Sequence, residues 1–168
     1  MKTELIFVGK TVDKRFDTAI DDYIKRIEHY LPIKLTTIPA LKNTKNLSEE
    51  QQKTAEGELI LRQVQSGDTL VLCDERGKEM RSIEFAQWFE SLQQRSRKLI
   101  LVIGGPYGFS KAVYDRADGL ISLSRMTFSH QMVRLVLAEQ VYRACTIIKG
   151  EPYHHESTHV LSTSISTI

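Results

Sequence analysis

Leu99-Ile100-Leu101-Val102-Ile103 runs directly into Gly104-Gly105-Pro106-Tyr107-Gly108, and this junction decides the fold. An unbroken aliphatic run of that length suits a strand buried on both faces, as the strands of a parallel sheet are. The three glycines that follow let the chain turn sharply and leave backbone bare enough for a ligand to lie against it. In open α/β sheets, ligands bind beyond the carboxyl ends of the strands, where this turn falls. A plain strand-to-helix turn with no ligand is the competing reading of these residues alone.

Before this junction the pattern repeats as strand and helix. Leu5 to Val8, followed by Gly9, reads as a first strand and turn. Asp13 caps a helix whose Phe16, Ile20, Ile24 and Ile27 form one apolar stripe, with Asp17, Asp21, Asp22 and Lys25 on the solvated side. Pro32 stops that helix, and Ile33 to Ile38 form a second strand. Residues 40 to 47 have loop composition, and Ser48 with Gln51 makes a capping box for a helix reaching about Gln65. Thr69 to Cys73 is a third buried strand, with Asp74 to Lys78 as the turn beyond it. A helix from Ser82 carries Phe85, Trp88, Phe89 and Leu92 on one side.

Beyond the junction, Ser110 caps a short helix with Val113 and Tyr114, and Gly119 to Leu123 is a fifth strand. A loop over 124–129 leads into a long helix from His130 to about Lys149, ended by Gly150 and Pro152. That helix is too apolar to lie on one sheet face, so it is buried on several sides, within the domain or between two copies. A homodimer is the preferred reading. Alternating elements without internal repeats give one α/β domain with a mostly parallel sheet flanked by helices. Its strand order is not legible from periodicity.

Composition excludes several classes. The chain has 168 residues and a net charge of only +2, so bulk charge does not mark it as a nucleic-acid binder. No apolar run approaches a membrane span and nothing resembles a signal peptide, which makes the cytoplasm the expected location. Cys73 and Cys145 lack CxxC spacing and read as small buried hydrophobes. GGPYG does not supply GxGxxG, and Lys111 follows Ser110 where a Walker A loop needs glycine. His155-Glu156-Ser157-Thr158-His159 spells HExxH, but it follows Pro152 in a Ser/Thr-rich tail and lacks a third ligand beyond it. No metal is expected.

Four stretches together resemble one family. They are Val102 to Gly108; Leu123-Ser124-Arg125-Met126-Thr127-Phe128-Ser129-His130-Gln131-Met132-Val133-Arg134; Glu139 to Ala144; and Pro152-Tyr153-His154. This set is similar to the ribosomal RNA large subunit methyltransferase H family, SPOUT-class enzymes that methylate N3 of a pseudouridine in large-subunit (23S) rRNA. The resemblance covers residues 1 to about 156, taken as one domain. It implies a homodimer whose C-terminal part, about residues 70–150, is tied in a trefoil knot. It also implies that S-adenosyl-L-methionine is held by three segments: Leu72 and Cys73, the turn at Gly104 and Gly105, and the loop Leu123, Ser124, Arg125, Met126, Thr127 and Phe128. The family pattern ends near the Tyr-His pair, whereas this chain continues through a tail, 157–168, without Lys or Arg. That tail is expected to be flexible.

Methyl transfer to an imide nitrogen needs alignment of three atoms, and a base or a cation that favours the anionic nucleobase. Arg143, Tyr153 and His154 are the expected catalytic residues, and His130, Arg134 and Tyr142 the expected RNA contacts. Arg134 and Arg143 lie about 180° apart around the helix, which points to different surfaces or different subunits for the two. Tyr142 also reads as core, and Arg143 also reads as the ion-pair partner of Glu139 one turn back. The expected substrate is rRNA in the assembled ribosome. Two rivals stay open: a SPOUT enzyme for another RNA or for a ribose oxygen, and a non-catalytic RNA- or ribosome-binding factor.

Overall fold

The aliphatic run of β4 (Lys98–Ile103) is buried on both faces, as its composition demands. A computed structural model describes residues 2–155 and sets β4 in the middle of an all-parallel sheet. The tail and the HExxH pattern, apart from His155, lie outside the described residues. The strand order is β2-β1-β4-β3-β5, with β1 (Lys2–Val8), β2 (Ile33–Ile38), β3 (Thr69–Glu79) and β5 (Gly119–Ser122). Leu101 aligns with Leu5 on one side and Val71 on the other.

Side-chain alternation divides the sheet into two cores. Leu5, Phe7, Val71, Leu99, Leu101 and Ile103 face α1 (Lys14–Glu28), α3 (Ser82–Arg95) and α5 (His130–Ile148). Ile6, Leu70, Leu72, Ile100 and Val102 face α2 (Glu49–Leu61) and α4 (Lys111–Arg116). Full burial of one such aliphatic side chain is worth about 1.5–3 kcal/mol, so this double-sided packing is the main cohesive force. Asp13, Ser48, Ser110 and Ser129 cap their helices through side-chain oxygens, and the Ser48–Gln51 capping box forms as read from the sequence.

Helix α2 stops at Leu61, short of the expected Gln65. The N–H groups of Gln63 and Val64 turn back to the carbonyls of Ile60 and Leu61, and the Asp68 carboxylate accepts from Gln65 N–H at 2.8 Å. This tightening delivers the chain into β3. Helix α5 buries Leu137, Ala138, Val141, Ala144 and Cys145 against α1, α3 and the sheet. Its Met132 and Ile148 are exposed, and Leu135 and Val136 are half-buried. No helix among the described residues is long and apolar enough to cross a membrane.

The largest departure from expectation is β3, which continues to Glu79 instead of turning at Asp74. Cys73 and Lys78 both align with Ile121, so 74–77 bulge out and the strand returns to pair with β5 again. Charged residues around a glycine read locally as a turn, but pairing to β5 overrides that preference. Gly77 makes the return possible. A Cβ there would sit 2.5–2.7 Å from backbone atoms of Ile121 and Leu120. We expect Gly77→Ala to destabilise the protein by about 1–3 kcal/mol or more. Gly119→Ala, whose Cβ would meet only a Val71 methyl at 4.0 Å, should be close to neutral. Urea denaturation of the two variants checks this, and equal midpoints would contradict it.

Candidate active site

A cleft of about 680 Å³ opens at the carboxyl ends of β4 and β5, beside the bulge of β3. That volume is in the range of small-molecule and cofactor sites. Its wall combines Ile103 and the turn from Gly104 to Gly108 with Leu123, Ser124, Met126, Thr127 and Phe128 of the loop after β5. Cys73 forms part of the floor, and His130 and Val133 close it from the first turn of α5. Most of the residues expected at a cofactor are thus brought together from three distant stretches.

Two are not. Leu72 is fully buried in the core under α2 and α4, one residue short of the cleft, because alternation sends it to the opposite side from Cys73. Arg125 points out of the cleft, where its Nε donates to Glu79 at 2.5 Å. Burial, with Asp74 beside it, pushes the Cys73 thiol up to about 12, so it stays protonated and unreactive.

The glycines of the turn are required by the protein behind them as well as by space in front. A Cβ on Gly104 would meet the Phe109 ring at 2.9 Å, and one on Gly105 would meet Glu56 Oε1 at 2.7 Å. Glu56 belongs to α2 and is buried, with Oε1 lacking a hydrogen-bond partner among the described residues. Its burial raises the carboxyl above its ordinary value. The turn is therefore seated against a carboxylate that sequence reading did not single out.

Asp74, Glu75 and Arg76 also line the cleft, from the bulge of β3, together with Tyr107 and Tyr114. Their charged composition read as a turn, and only the second pairing to β5 aims them inward. Burial pushes the Asp74 carboxyl up, but hydrogen bonds from Arg76 and Tyr114 outweigh it and hold the group below the ordinary carboxylate value. Asp74 is thus an anion in the folded protein.

The expected catalytic residues gather elsewhere. Glu139 Oε1 accepts from Arg143 Nη2 at 2.6 Å and from the Tyr153 hydroxyl at 3.2 Å. The Arg143 guanidinium lies 4.8 Å from the Tyr153 ring centre and donates from Nη1 to His154 Nδ1 at 3.1 Å. Arginine has no lone pair to accept with, so in this contact Nδ1 is the acceptor, which leaves Nε2 as the ring's donor. Burial is the first cause that raises the Tyr153 hydroxyl well above its ordinary value, aided by Tyr23 and Glu139, and it stays a phenol. Tyr142 packs edge-on against Tyr153 at 4.8 Å and also against Tyr23 and Tyr30. It serves as the centre of an aromatic cluster more than as a free stacking surface.

This group does not line the cleft. His130 and Arg143 are separated by about 20 Å along α5 at 1.5 Å per residue. Arg134 departs further from expectation. Assigned above to RNA, it is 3% exposed, donating to Thr11 Oγ1 at 2.9 Å and to the Val8 carbonyl at 2.8 Å beneath the Phe7 ring. It clamps α5 to the end of β1 and has no route to an external phosphate in this fold. Gln131 adds to the clamp by accepting from Val12 and Asp13 N–H groups.

A parallel sheet with a glycine-turned cleft at its carboxyl edge defines an α/β ligand-binding protein. Comparisons with known proteins narrow this. A family model described as "Predicted SPOUT methyltransferase" matches residues 1–154. Proteins named Ribosomal RNA large subunit methyltransferase H from Bacteroides fragilis, Phocaeicola vulgatus and Flavobacterium johnsoniae are 58%, 55% and 52% identical to this chain. Each comparison spans 157 residues, 93% of this chain and 100% of the relative. The chain belongs to the SPOUT methyltransferase family, among the proteins that carry that name.

The Glu56 geometry carries a pH signature. A carboxyl raised on folding contributes stability that is complete below its unfolded value, about 4.5, and lost as pH rises through the folded one. Glu56→Gln should therefore be more stable than the parent at pH 7, with the gain shrinking as pH falls toward about 4. Denaturant midpoints at the two pH values test this. A gain that grows on acidification would contradict it.

Proposed function

We propose that this protein is an S-adenosyl-L-methionine-dependent methyltransferase acting on N3 of a pseudouridine in large-subunit (23S) rRNA, as a cytoplasmic homodimer on the assembled ribosome. The observation that carries the reading is the cleft itself. In this member of the SPOUT methyltransferase family, it joins Cys73 just before the bulge of β3, the turn at Gly104 and Gly105, and the loop Leu123 to Phe128 around one space. The apolar wall of Ile103, Phe109, Leu123 and Phe128 suits a planar base, and strand-end backbone supplies its hydrogen bonds. Residues 1–156 act as one catalytic unit, with the stretch from about 70 to 150 knotted around that space.

When bound, the cofactor supplies an electrophilic methyl group on a sulfonium, whose departure as a neutral thioether needs no metal. The chain's residues must align the nucleobase and favour its anionic form. Arg143, Tyr153 and His154 fit the second task as donors: a permanent cation, a phenol, and an imidazole with its proton on Nε2. Their distance from the cleft of the same chain supports a composite site, with the cofactor on one copy and the donor cluster from its partner. The partly exposed apolar face of α5, at exposed Met132 and half-buried Leu135 and Val136, is the surface on which the copies would meet. His130, at the mouth of the cleft, then lies closest to incoming RNA.

Label from S-adenosylmethionine should enter ribosomes lacking the modification, strongest with assembled ribosomes, and mass spectrometry should locate it on a pseudouridine base of the large subunit. Label on another RNA or on ribose would support the broader SPOUT alternative. Cofactor binding without label on any RNA would support the non-catalytic one. The composite site has its own check. Gly105→Leu and Arg143→Ala should each be inactive as homodimers, whereas mixed dimers should recover up to about half the activity per mixed dimer, because one intact site remains. Recovery below a few per cent would place both functions in one chain.

A further inference from the structure

The cleft meets its ligand with one permanent cation. Among the described residues lining it, Arg76 alone is Lys or Arg, since Arg125 turns away to Glu79. Arg76 is exposed at the rim, with 71% of its side chain accessible, yet it is held firmly. Nε donates to Asp74 Oδ1 and Nη2 to Asp74 Oδ2, both at 3.2 Å, and the Arg76 backbone N–H donates to Oδ1 at 2.9 Å. Nη2 also donates to the Tyr114 hydroxyl, which itself donates to Asp74, and the guanidinium sits 5.1 Å from the Tyr114 ring centre. Asp74 is 9% exposed in its side chain, so the anchor is buried while the cation faces out.

We propose that Arg76 binds the carboxylate at the amino-acid end of the cofactor, with Asp74 and Tyr114 as the positioning residues that hold it there. This rests on the S-adenosylmethionine reading of the cleft. The ligand has a planar apolar end and a zwitterionic end, and the cleft has the same polarity. Ile103, Phe109, Leu123, Phe128 and Val133 form its apolar wall, and the charged bulge of β3 forms its rim. A base seated against the apolar wall leaves the amino-acid end at the bulge. Asp74 already accepts from Arg76 three times and from Tyr114 once, which fills its lone pairs and removes it as a ligand group. The Nη1 donors of Arg76 have no partner among the described residues, and a guanidinium edge matches a carboxylate in geometry and charge. Because Asp74 and Tyr114 fix the side chain before binding, little rotamer freedom is lost when the ligand arrives.

Decarboxylated S-adenosylmethionine separates the carboxylate from the rest, since it keeps the sulfonium and the amine. Calorimetry on the full-length parent, Arg76→Gln and Arg76→Lys with both ligands gives the test. Arg76→Gln should weaken S-adenosylmethionine about tenfold or more while leaving the decarboxylated ligand within about twofold. Arg76→Lys should recover part of the loss. Asp74→Asn and Tyr114→Phe should fall between parent and Arg76→Gln, by loosening the guanidinium. An equal loss for both ligands would overturn the assignment, because Arg76 would then shape the cleft without reading the carboxylate. So would unchanged affinity for both with weakened RNA binding, which would make Arg76 a phosphate contact. If the parent binds neither ligand, the cofactor reading of the cleft fails first, and that result is distinct from a selectivity failure.

Discussion

The close crossing of Gly77 over Ile121 is the constraint on which both the fold and the cleft depend. At that point two backbones approach to a distance that excludes any Cβ. The approach lets β3 pair twice with β5, and the four residues between the pairings are forced outward as a bulge. That bulge carries Asp74 and Arg76 to the mouth of the cleft. Without it, β3 would end at Cys73 and the cleft would have a glycine wall, an apolar wall and no charged rim. A local steric fact thus decides where charge is available to a ligand.

Helix α5 transmits order in the other direction. Its buried face packs on α1, α3 and the sheet, but its register is set by polar contacts at its start. Arg134 reaches the Val8 carbonyl and Thr11, and Gln131 accepts from two N–H groups of the same loop. An arginine this deep bears a desolvation cost, which lowers its proton affinity, and its Nε has no partner among the described residues. Two charge-assisted hydrogen bonds and the Phe7 ring offset that cost and fix the helix along its axis. His130 is thereby held at the cleft and Arg143, with its partners Glu139, Tyr153 and His154, toward the other end of the helix, about 20 Å from His130 along the axis. One rigid rod separates the ligand-facing end from the donor-bearing end.

Much of this architecture was legible. The β4 run and its glycine turn, the capped helices and the apolar stripes are local patterns with local causes, and they appear where the periodicity places them. The cleft-lining loop was legible through family resemblance. What was not legible depends on distant pairing. Asp74 to Lys78 has turn composition, and nothing within those residues reveals that Ile121 will pair on either side of them. Nothing in the local sequence around Glu56 sets it apart, yet α2 packs it behind Gly105. Arg134 sits in a motif whose neighbours suggest nucleic acid, and only the three-dimensional proximity of β1 turns it inward. Periodicity reports which face of a helix is apolar, but it cannot report which polar residue the apolar face encloses.

The modest net charge of +2 takes on a physical meaning once the arginines are located. Arg76 is tied to Asp74, Arg125 to Glu79 and Arg143 to Glu139, and Arg134 is enclosed. Each of these ion pairs orients a cation while cancelling its long-range field, so these positions offer short-range, directional charge in place of a steering potential. A phosphate or carboxylate approaching such a site gains little until it is within hydrogen-bonding distance. Recognition then depends on shape bringing the right group close, and electrostatic capture of bare polyanions contributes little. In a member of the SPOUT methyltransferase family, that arrangement trades affinity for loose strands against selectivity for a preformed surface.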